Sequence, residues 1–400
     1  MKWRSNGDLY FNPRALQTEE MLAAAYGEMH ARGVVHKSVL GGWFVCGYDL
    51  GRKLLVSSSI SRDHPAVEDK AETQHHPSLE LFEASLFGMS GGNDTAIRNT
   101  MRRLFSRGEL TKYRRKASEH ATLLLDGLPR GREVDMIGDL VAPFAEQVLS
   151  ELLGLKRDQA VELRALAERC IRLLDAHPAA TVDVLAADAL VPAATGLMRR
   201  SLSDAPVDGT LAASLMRMSD AGAISPVEAV ANLGVAFAAG HDTTIALLSN
   251  TLNLLANRPS IGAAAVTMTD GYARLVEEAM RFFAPVQLVA RSAADDIDVP
   301  GAHIERGATV MVILAAANRD PTVFDDPDVF RIDRVNQPRS LGFGHGVHLC
   351  AGEHLARLHA EILTEAILRD HPDFTVVHDG KSWRSMASFR FPENVALSLA

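Results

Sequence analysis

The stretch FGHGVHLCAG, residues 343–352, places one cysteine among three glycines directly ahead of a helical pattern. Glycine lets a backbone adopt positive φ and come close to a bulky group. A thiolate near a helix N-terminus is stabilised by the helix dipole and by backbone N–H donors. Together these features are a way of holding the Cys350 sulfur against a flat metal cofactor. Two plainer readings compete. One is a buried free thiol in a glycine-rich turn, the usual fate of an isolated cysteine. The other is zinc, because His345, His348, Cys350 and His354 fall close together, although that spacing matches no common structural zinc pattern.

Upstream, AAGHDTT (238–244) interrupts the best-marked helix of the chain. That helix opens on a capping box, Ser225 with Glu228, with Pro226 at its first position. Asn257-Arg258-Pro259 stops it. Gly240, Thr243 and Thr244 are poor helix-interior choices. Ala239 and Thr243 lie one turn apart and share a face with Gly240, so small residues leave room for something to lie there. Asp242 and Thr243 offer an acid and a hydroxyl for proton transfer. The alternative for Thr243 is a bond to the carbonyl one turn back. Between helix and cysteine lies VEEAMRFFAP (276–285), where Glu278 and Arg281 share a helix face among apolar neighbours. Such a pair is worth little at a surface and must be well hydrogen-bonded when buried.

Helical patterns dominate the remainder. Helices are expected near 17–32, 95–118, 133–154, 158–174, 186–202, 271–283 and 352–370, with a strand at Trp43-Phe44-Val45 followed by a short helix. Residues 60–97 read as a long loop region, and such loops are often functional. Short strands are expected in 296–316 and 373–400. The fold class is mainly α with small β-sheets, and no Pro/Gly/Ser-rich linker divides the chain, so 1–400 is expected to be a single domain with β-rich edges.

The bulk properties exclude several classes. With 47% hydrophobic and 23% charged residues over 400 positions, the chain can bury a large core. A net charge of -9 disfavours general nucleic-acid binding. The N-terminus, MKWRSNGDLYFNPRALQ, has no signal-peptide core, and no stretch is apolar enough to span a bilayer, so the expected location is the cytoplasm. Cys46, Cys170 and Cys350 are too few and too scattered for a disulfide framework.

In order and spacing these motifs resemble the cytochrome P450 family. FGHGVHLCAG fits its haem-binding pattern of Phe-Gly-x-Gly-x-His-x-Cys-x-Gly at every position; AGHDTT resembles its oxygen-activation motif, and Glu278 with Arg281 its Glu-x-x-Arg motif. AANRDPTVFDDPDVFRIDR (316–334) is similar to the family's segment between that motif and the cysteine, and the resemblance runs from about residue 20 to the C-terminus. It implies a cytochrome P450 fold with the long central helix over a haem b (iron protoporphyrin IX), and a haem-thiolate monooxygenase acting on a small organic substrate in secondary metabolism. Cys350 would ligate the iron. Phe343, Gly352, Ala239 and Gly240 would lie against the cofactor, and Asp242 and Thr243 would deliver protons. Arg98, Arg102, Arg291 and His348 would bind propionates. Glu278, Arg281 and Arg334 would form a structural network. Val286, Leu288, Val289 and Phe389 would line the substrate pocket, with the loop near 85–97 and the region 170–195.

Two positions depart from the bacterial pattern: Arg98 and Ser340 each stand where histidine is common. Arginine can bind a carboxylate bidentately, which preserves the role at 98. Electrons would come from a ferredoxin and its ferredoxin reductase, and the protein is expected to be a monomer without nucleic-acid or membrane partners. The basic run Arg103, Arg107, Lys112, Arg114, Arg115 and Lys116 is read as a positive patch for that donor, against a plain solvated face. Two rival classes share the motifs. A ligand sensor needs no proton relay, so the Asp242-Thr243 pair argues against it; a coupling or cyclising enzyme would use the same oxidant.

Overall fold

The computed structural model describes residues 1–61, 75–89, 92–175, 181–204, 208–377, 383–384, 386–392 and 395–399. Parts of the expected loop (62–74, 90–91), of the expected pocket region (176–180) and of the C-terminal strands lie outside the described residues. The chain forms two compact units, each assembled from separated stretches: Met1–Ala71, Asn253–Cys350 and His378–Asn394 in the first, Glu72–Leu252, Ala351–Val377 and Val395–Ala400 in the second.

The first unit is built on a five-stranded sheet in the order Val35–Lys37, Trp43–Val45, Thr309–Val312, Val289–Ala293, Ile60–Ser61. Only the Trp43–Val45 and Thr309–Val312 pair is parallel. Val45, Val310 and Val312 are fully buried in one core cluster with Tyr48, Leu54 and Leu341, as alternation along short strands dictates. Helix Glu19–Arg32 buries Leu22, Ala25, Tyr26 and Met29, spaced as one helical stripe, against Phe11, Phe44 and Ile313. Thr18 caps it and Gly33 ends it.

The second unit is helical. Helix Arg107–Gly127 packs along helix Glu353–Asp370, and the two are bridged where Arg114 reaches Glu361 and Glu365. A three-stranded sheet (Thr375–Val377, Ala396–Ser398, Glu133–Asp135) edges it. The long helix is Pro226–Asn257, 32 residues and so about 48 Å at about 1.5 Å per residue. Its capping box is present in both directions: Ser225 Oγ accepts from the Glu228 amide at 3.1 Å, and Glu228 accepts from the Ser225 amide at 2.6 Å.

Several sequence expectations need correction. The helix expected at 95–118 is two, Gly92–Leu104 and Arg107–Gly127, because Ser106 turns and caps the second. That expected at 133–154 opens with strand Glu133–Asp135 and a π-turn, Met136–Val141, before helix Ala142–Leu153. That at 186–202 divides into Thr181–Asp188 and Val191–Ser203, with Pro192 at the start of the latter. The described part of the 60–97 loop contains helix Pro77–Glu83. Strand Val289–Ala293 has no clear sequence signal, since Arg291 and Ser292 break its apolar alternation.

Candidate functional site

The cysteine loop is fixed by its own backbone. A 3-10 turn, Leu341–Phe343, is followed by a second, Gly346–His348, and the Cys350 amide donates to the Phe343 carbonyl at 3.0 Å. Two glycines are required by packing. A Cβ at Gly342 would meet the Met280 carbonyl at 2.8 Å, so the loop lies directly on helix Gly271–Phe282. Gly346 takes φ +74°, and a Cβ there would strike the Val56 side chain at 2.5 Å. Cys350 is exposed and stands three residues before helix Glu353–Asp370. The other two thiols are not comparable: burial pushes Cys46 up to about 12 and Cys170 up to about 11.

Glu278, Arg281 and Arg334 form one network. Arg281 grips Glu278 bidentately, both bonds at 2.7 Å, with the two side chains 1% exposed. Arg334 adds a bond to Glu278 at 3.1 Å and the Arg331 amide another at 2.9 Å. The spare guanidinium donors go to backbone carbonyls: Arg281 to Asn318, Pro327 and Val329, Arg334 to Asp325, Asp326 and Val329. Asn318 was not singled out by sequence and joins this network to the cysteine loop. Its carbonyl takes Arg281, while its side-chain oxygen accepts the Leu341 amide at 2.6 Å.

In the second unit, the long helix is buried around AAGHDTT except along one stripe. Val235, Ala236, Ala239, Gly240 and Thr243 stay partly accessible while Phe237, Ala238, His241, Asp242 and Thr244 are buried. Thr243 Oγ donates to the Ala239 carbonyl at 2.5 Å, the one-turn back-bond. That leaves its lone pairs as acceptors. Gly240 differs from expectation. A Cβ there would press on the Leu149 side chain at 3.1 Å, so its small size serves helix packing at least as much as any guest. Asp242 is buried and bonded to its neighbour His241, which sequence reading passed over.

Arg98 and Arg102 lie one turn apart on helix Gly92–Leu104, and Arg98 is paired with Asp94 at 3.2 Å. Arg291 sits mid-strand and His348 ends the second 3-10 turn, both half-buried. Val286 bridges Phe389 across two antiparallel segments. Gln287 was missed by sequence. Its amide donates to the Ser388 carbonyl at 2.7 Å, its Oε1 accepts from Tyr26 Oη at 3.2 Å and its Nε2 donates to the Ala284 carbonyl at 2.5 Å. This inward anchor turns Val286, Leu288 and Val289 to the half-buried side.

A model of the cytochrome P450 family matches residues 273–393, the span from the Glu278 helix past Cys350. The "Cytochrome P450 monooxygenase PikC" of Streptomyces venezuelae is 30% identical over 370 residues, 88% of this chain and 84% of its own. This chain belongs to the cytochrome P450 family. The biotin biosynthesis cytochrome P450 of Bacillus subtilis is 27% identical over 89% of this chain and 90% of its own. The crystal structure of P450BioI with an acyl carrier protein ligated to hexadec-9Z-enoic acid superposes with TM-score 0.87, at 26% identity, over 95% of this chain and all of that chain.

The P450 family implies a haem iron, and the residues present fit one. Among the described residues no group of three or more His, Cys, Asp or Glu side chains could hold a bare ion. His354 leans instead toward Glu353 at 3.9 Å. A single thiol would suit a metal that brings its other donors with it. Ser340 Oγ, buried beside the P450 cysteine loop, has no hydrogen-bond partner among the described residues, as expected of a hydroxyl whose partner is a ligand. Among the described residues no helix is long and apolar enough to cross a membrane.

Four of the six cations in the basic run are paired with carboxylates, which reduces the expected positive patch. Lys112 holds Glu109, Arg114 holds Glu361 and Glu365, Arg115 holds Glu119, and Lys116 holds Glu151. Four cations thus face five carboxylates, three of which arrive from other helices and are invisible in the local sequence.

Proposed function

We propose that this P450 is a haem-thiolate monooxygenase that holds haem b through Cys350 and oxidises a small organic substrate in secondary metabolism, with electrons from a ferredoxin and its reductase. The observation that carries this reading is the Cys350 loop: an exposed thiol on a backbone locked by Gly342, Gly346 and the Asn318 side chain. The relatives support the class, since PikC is named a monooxygenase and the Bacillus protein is named for biotin biosynthesis.

The bound haem supplies oxygen activation, the chemistry that no side chain here can perform. Everything else falls to the chain. Arg102, Arg291 and His348 would bind the propionates, with Arg98 in support from its pair with Asp94. Glu278, Arg281 and Arg334 hold the cysteine loop through Asn318 and touch no reactant. Thr243, its hydroxyl proton committed to the Ala239 carbonyl, accepts a hydrogen bond and orients the incoming proton. Asp242 holds that proton and passes it on from Oδ2, which has no hydrogen-bond partner among the described residues. Val286, Leu288, Val289 and Phe389 present apolar surface that orients the substrate and excludes water.

The test is reconstitution with ferredoxin, ferredoxin reductase and NADPH, using substrates found by screening for ligands that shift the haem spectrum. Incorporation of one atom of labelled O2 into the product supports the reading. A protein that binds such ligands yet consumes no NADPH is a sensor, and that result refutes it.

A further inference from the structure

His241 lies buried between two carboxylates, and the mechanism above leaves it unused. It is 3% exposed; Nδ1 is 2.5 Å from Asp242 Oδ1 and Nε2 is 2.8 Å from Glu146 Oε1. Glu146, on helix Ala142–Leu153, is also gripped bidentately by Arg164, at 2.7 and 2.9 Å. Arg164 belongs to helix Arg157–Asp175 and is 44% exposed, so this chain of charges starts at solvent.

Proton counting decides the state of the ring. An ionised carboxylate only accepts hydrogen bonds, so a ring nitrogen facing one must carry a proton. Arg164 keeps Glu146 ionised, which assigns a proton to Nε2. The contact at Nδ1 needs one more proton, and the lowest-cost place for it is the same nitrogen, because an imidazolium between two carboxylates, one already neutralised by Arg164, makes the buried cluster electrically neutral. The Phe237 ring, stacked 5.4 Å away at 22°, presents its face to that cation. Burial works against the charged ring, and the bonds to Asp242 and Glu146 overcome it and hold His241 above the usual histidine range. Glu146 is likewise held below the ordinary carboxylate range by His241 and Arg164 against the effect of burial. The other charged or titratable groups facing the cluster among the described residues are Glu168, beside Arg164, and Cys170, beside Asp242.

The consequence falls on Asp242. One carboxylate oxygen is pinned by the ring; the other, Oδ2, is buried with no hydrogen-bond partner among the described residues. A carboxylate held by one oxygen has a fixed direction for the other and a charge balanced at close range. We propose that His241, itself held by Glu146 and Arg164, is a positioning residue for proton delivery: a buried imidazolium that fixes the orientation and charge of Asp242 so that Oδ2 alone exchanges the proton. This rests on the assignment of Asp242 as the proton carrier made under the proposed function. Nothing in the sequence announced it, because Glu146 lies 95 positions away from His241.

The experiment uses the reduced, carbon monoxide-bound holoenzyme, which is diamagnetic, with isotope-labelled histidine. The ring signals of His241 are assigned by their loss in His241→Gln. The proposal expects an imidazolium at pH 7 and, in Glu146→Gln, about a tenfold or greater loss of proton affinity at that ring. The same variant, with haem content and CO spectrum as in the wild type, should release several-fold more hydrogen peroxide per NADPH. A neutral His241 at pH 7 overturns the proposal, as does a Glu146→Gln protein with unchanged titration and unchanged coupling. Asp242→Asn separates the two levels. If it uncouples while Glu146→Gln does not, the His241 proposal alone fails; if it leaves coupling intact, the assignment of Asp242 fails and the proposal with it. Should His241→Gln not fold, the Glu146→Gln titration still decides.

Discussion

Replacing Arg281 by alanine removes five hydrogen bonds at once: two to Glu278 and one each to Asn318, Pro327 and Val329. Glu278 keeps only the Arg334 side chain and the Arg331 amide, and it remains fully buried. Breaking such a buried pair typically costs about 3–5 kcal/mol. At about 2.1 cal/mol/K of unfolding entropy per residue, the whole chain carries about 0.84 kcal/mol/K, so about 4 kcal/mol lowers Tm by about 5 °C if it unfolds as one unit. The local effect should be larger than the global one, because Asn318 also holds the Leu341 amide at the start of the cysteine loop. Arg281→Ala should therefore be recovered largely without haem, and Arg281→Lys, which keeps the charge and loses the fork, should fall between. The assay is haem-to-protein ratio with a thermal melt. A haem-replete Arg281→Ala protein melting within about 1 °C of wild type would refute the reasoning.

Asn318→Ala leaves the Leu341 amide without its acceptor, a loss of about 1–3 kcal/mol at the loop itself; the reduced CO spectrum should shift partly toward the form without thiolate. Thr243→Ala should retain haem and ligand binding but divert electrons to hydrogen peroxide, and tight coupling in that variant counts against the proton role. His359 is fully buried with neither ring nitrogen hydrogen-bonded among the described residues, and burial pushes it down to about 3. The unfolded chain takes up that proton near pH 6.5 and the native state does not, so stability is full above about 6.5 and falls as pH drops toward 3. His359→Leu should flatten that slope in thermal melts between pH 7 and 5, and an unchanged slope would contradict the burial argument. Reversing Arg103 and Arg107 to Glu should change ferredoxin-dependent reduction little at low salt, since the neighbouring cations are already paired; a steep loss would restore the docking patch.

What was legible in the sequence follows from how local the signal is. The capping box at Ser225, the stop at Asn257 and the helix expected near 17–32 are encoded within a few helical turns, and the structure has them. The break at Ser106 was missed because good helix formers continue on both sides and only a cap separates them. Strand Val289–Ala293 is made by its partners, Thr309–Val312 and Ile60–Ser61, rather than by its own pattern. The same holds at the site. Cys350, Glu278 and Arg281 stand in compact motifs. Asn318, Gln287, Glu146 and the carboxylates that neutralise the basic run act through contacts far along the chain, to which no spacing rule applies.

The central claim is that Cys350 is the thiolate ligand of a haem iron, and the absorption spectrum of the reduced, carbon monoxide-bound protein tests it most directly. The wild type should show the strongly red-shifted Soret band of thiolate-ligated haem, and Cys350→Ser should lose it. A Cys350→Ser protein that keeps the red-shifted band, or a haem-replete wild type that never shows it, would contradict the account.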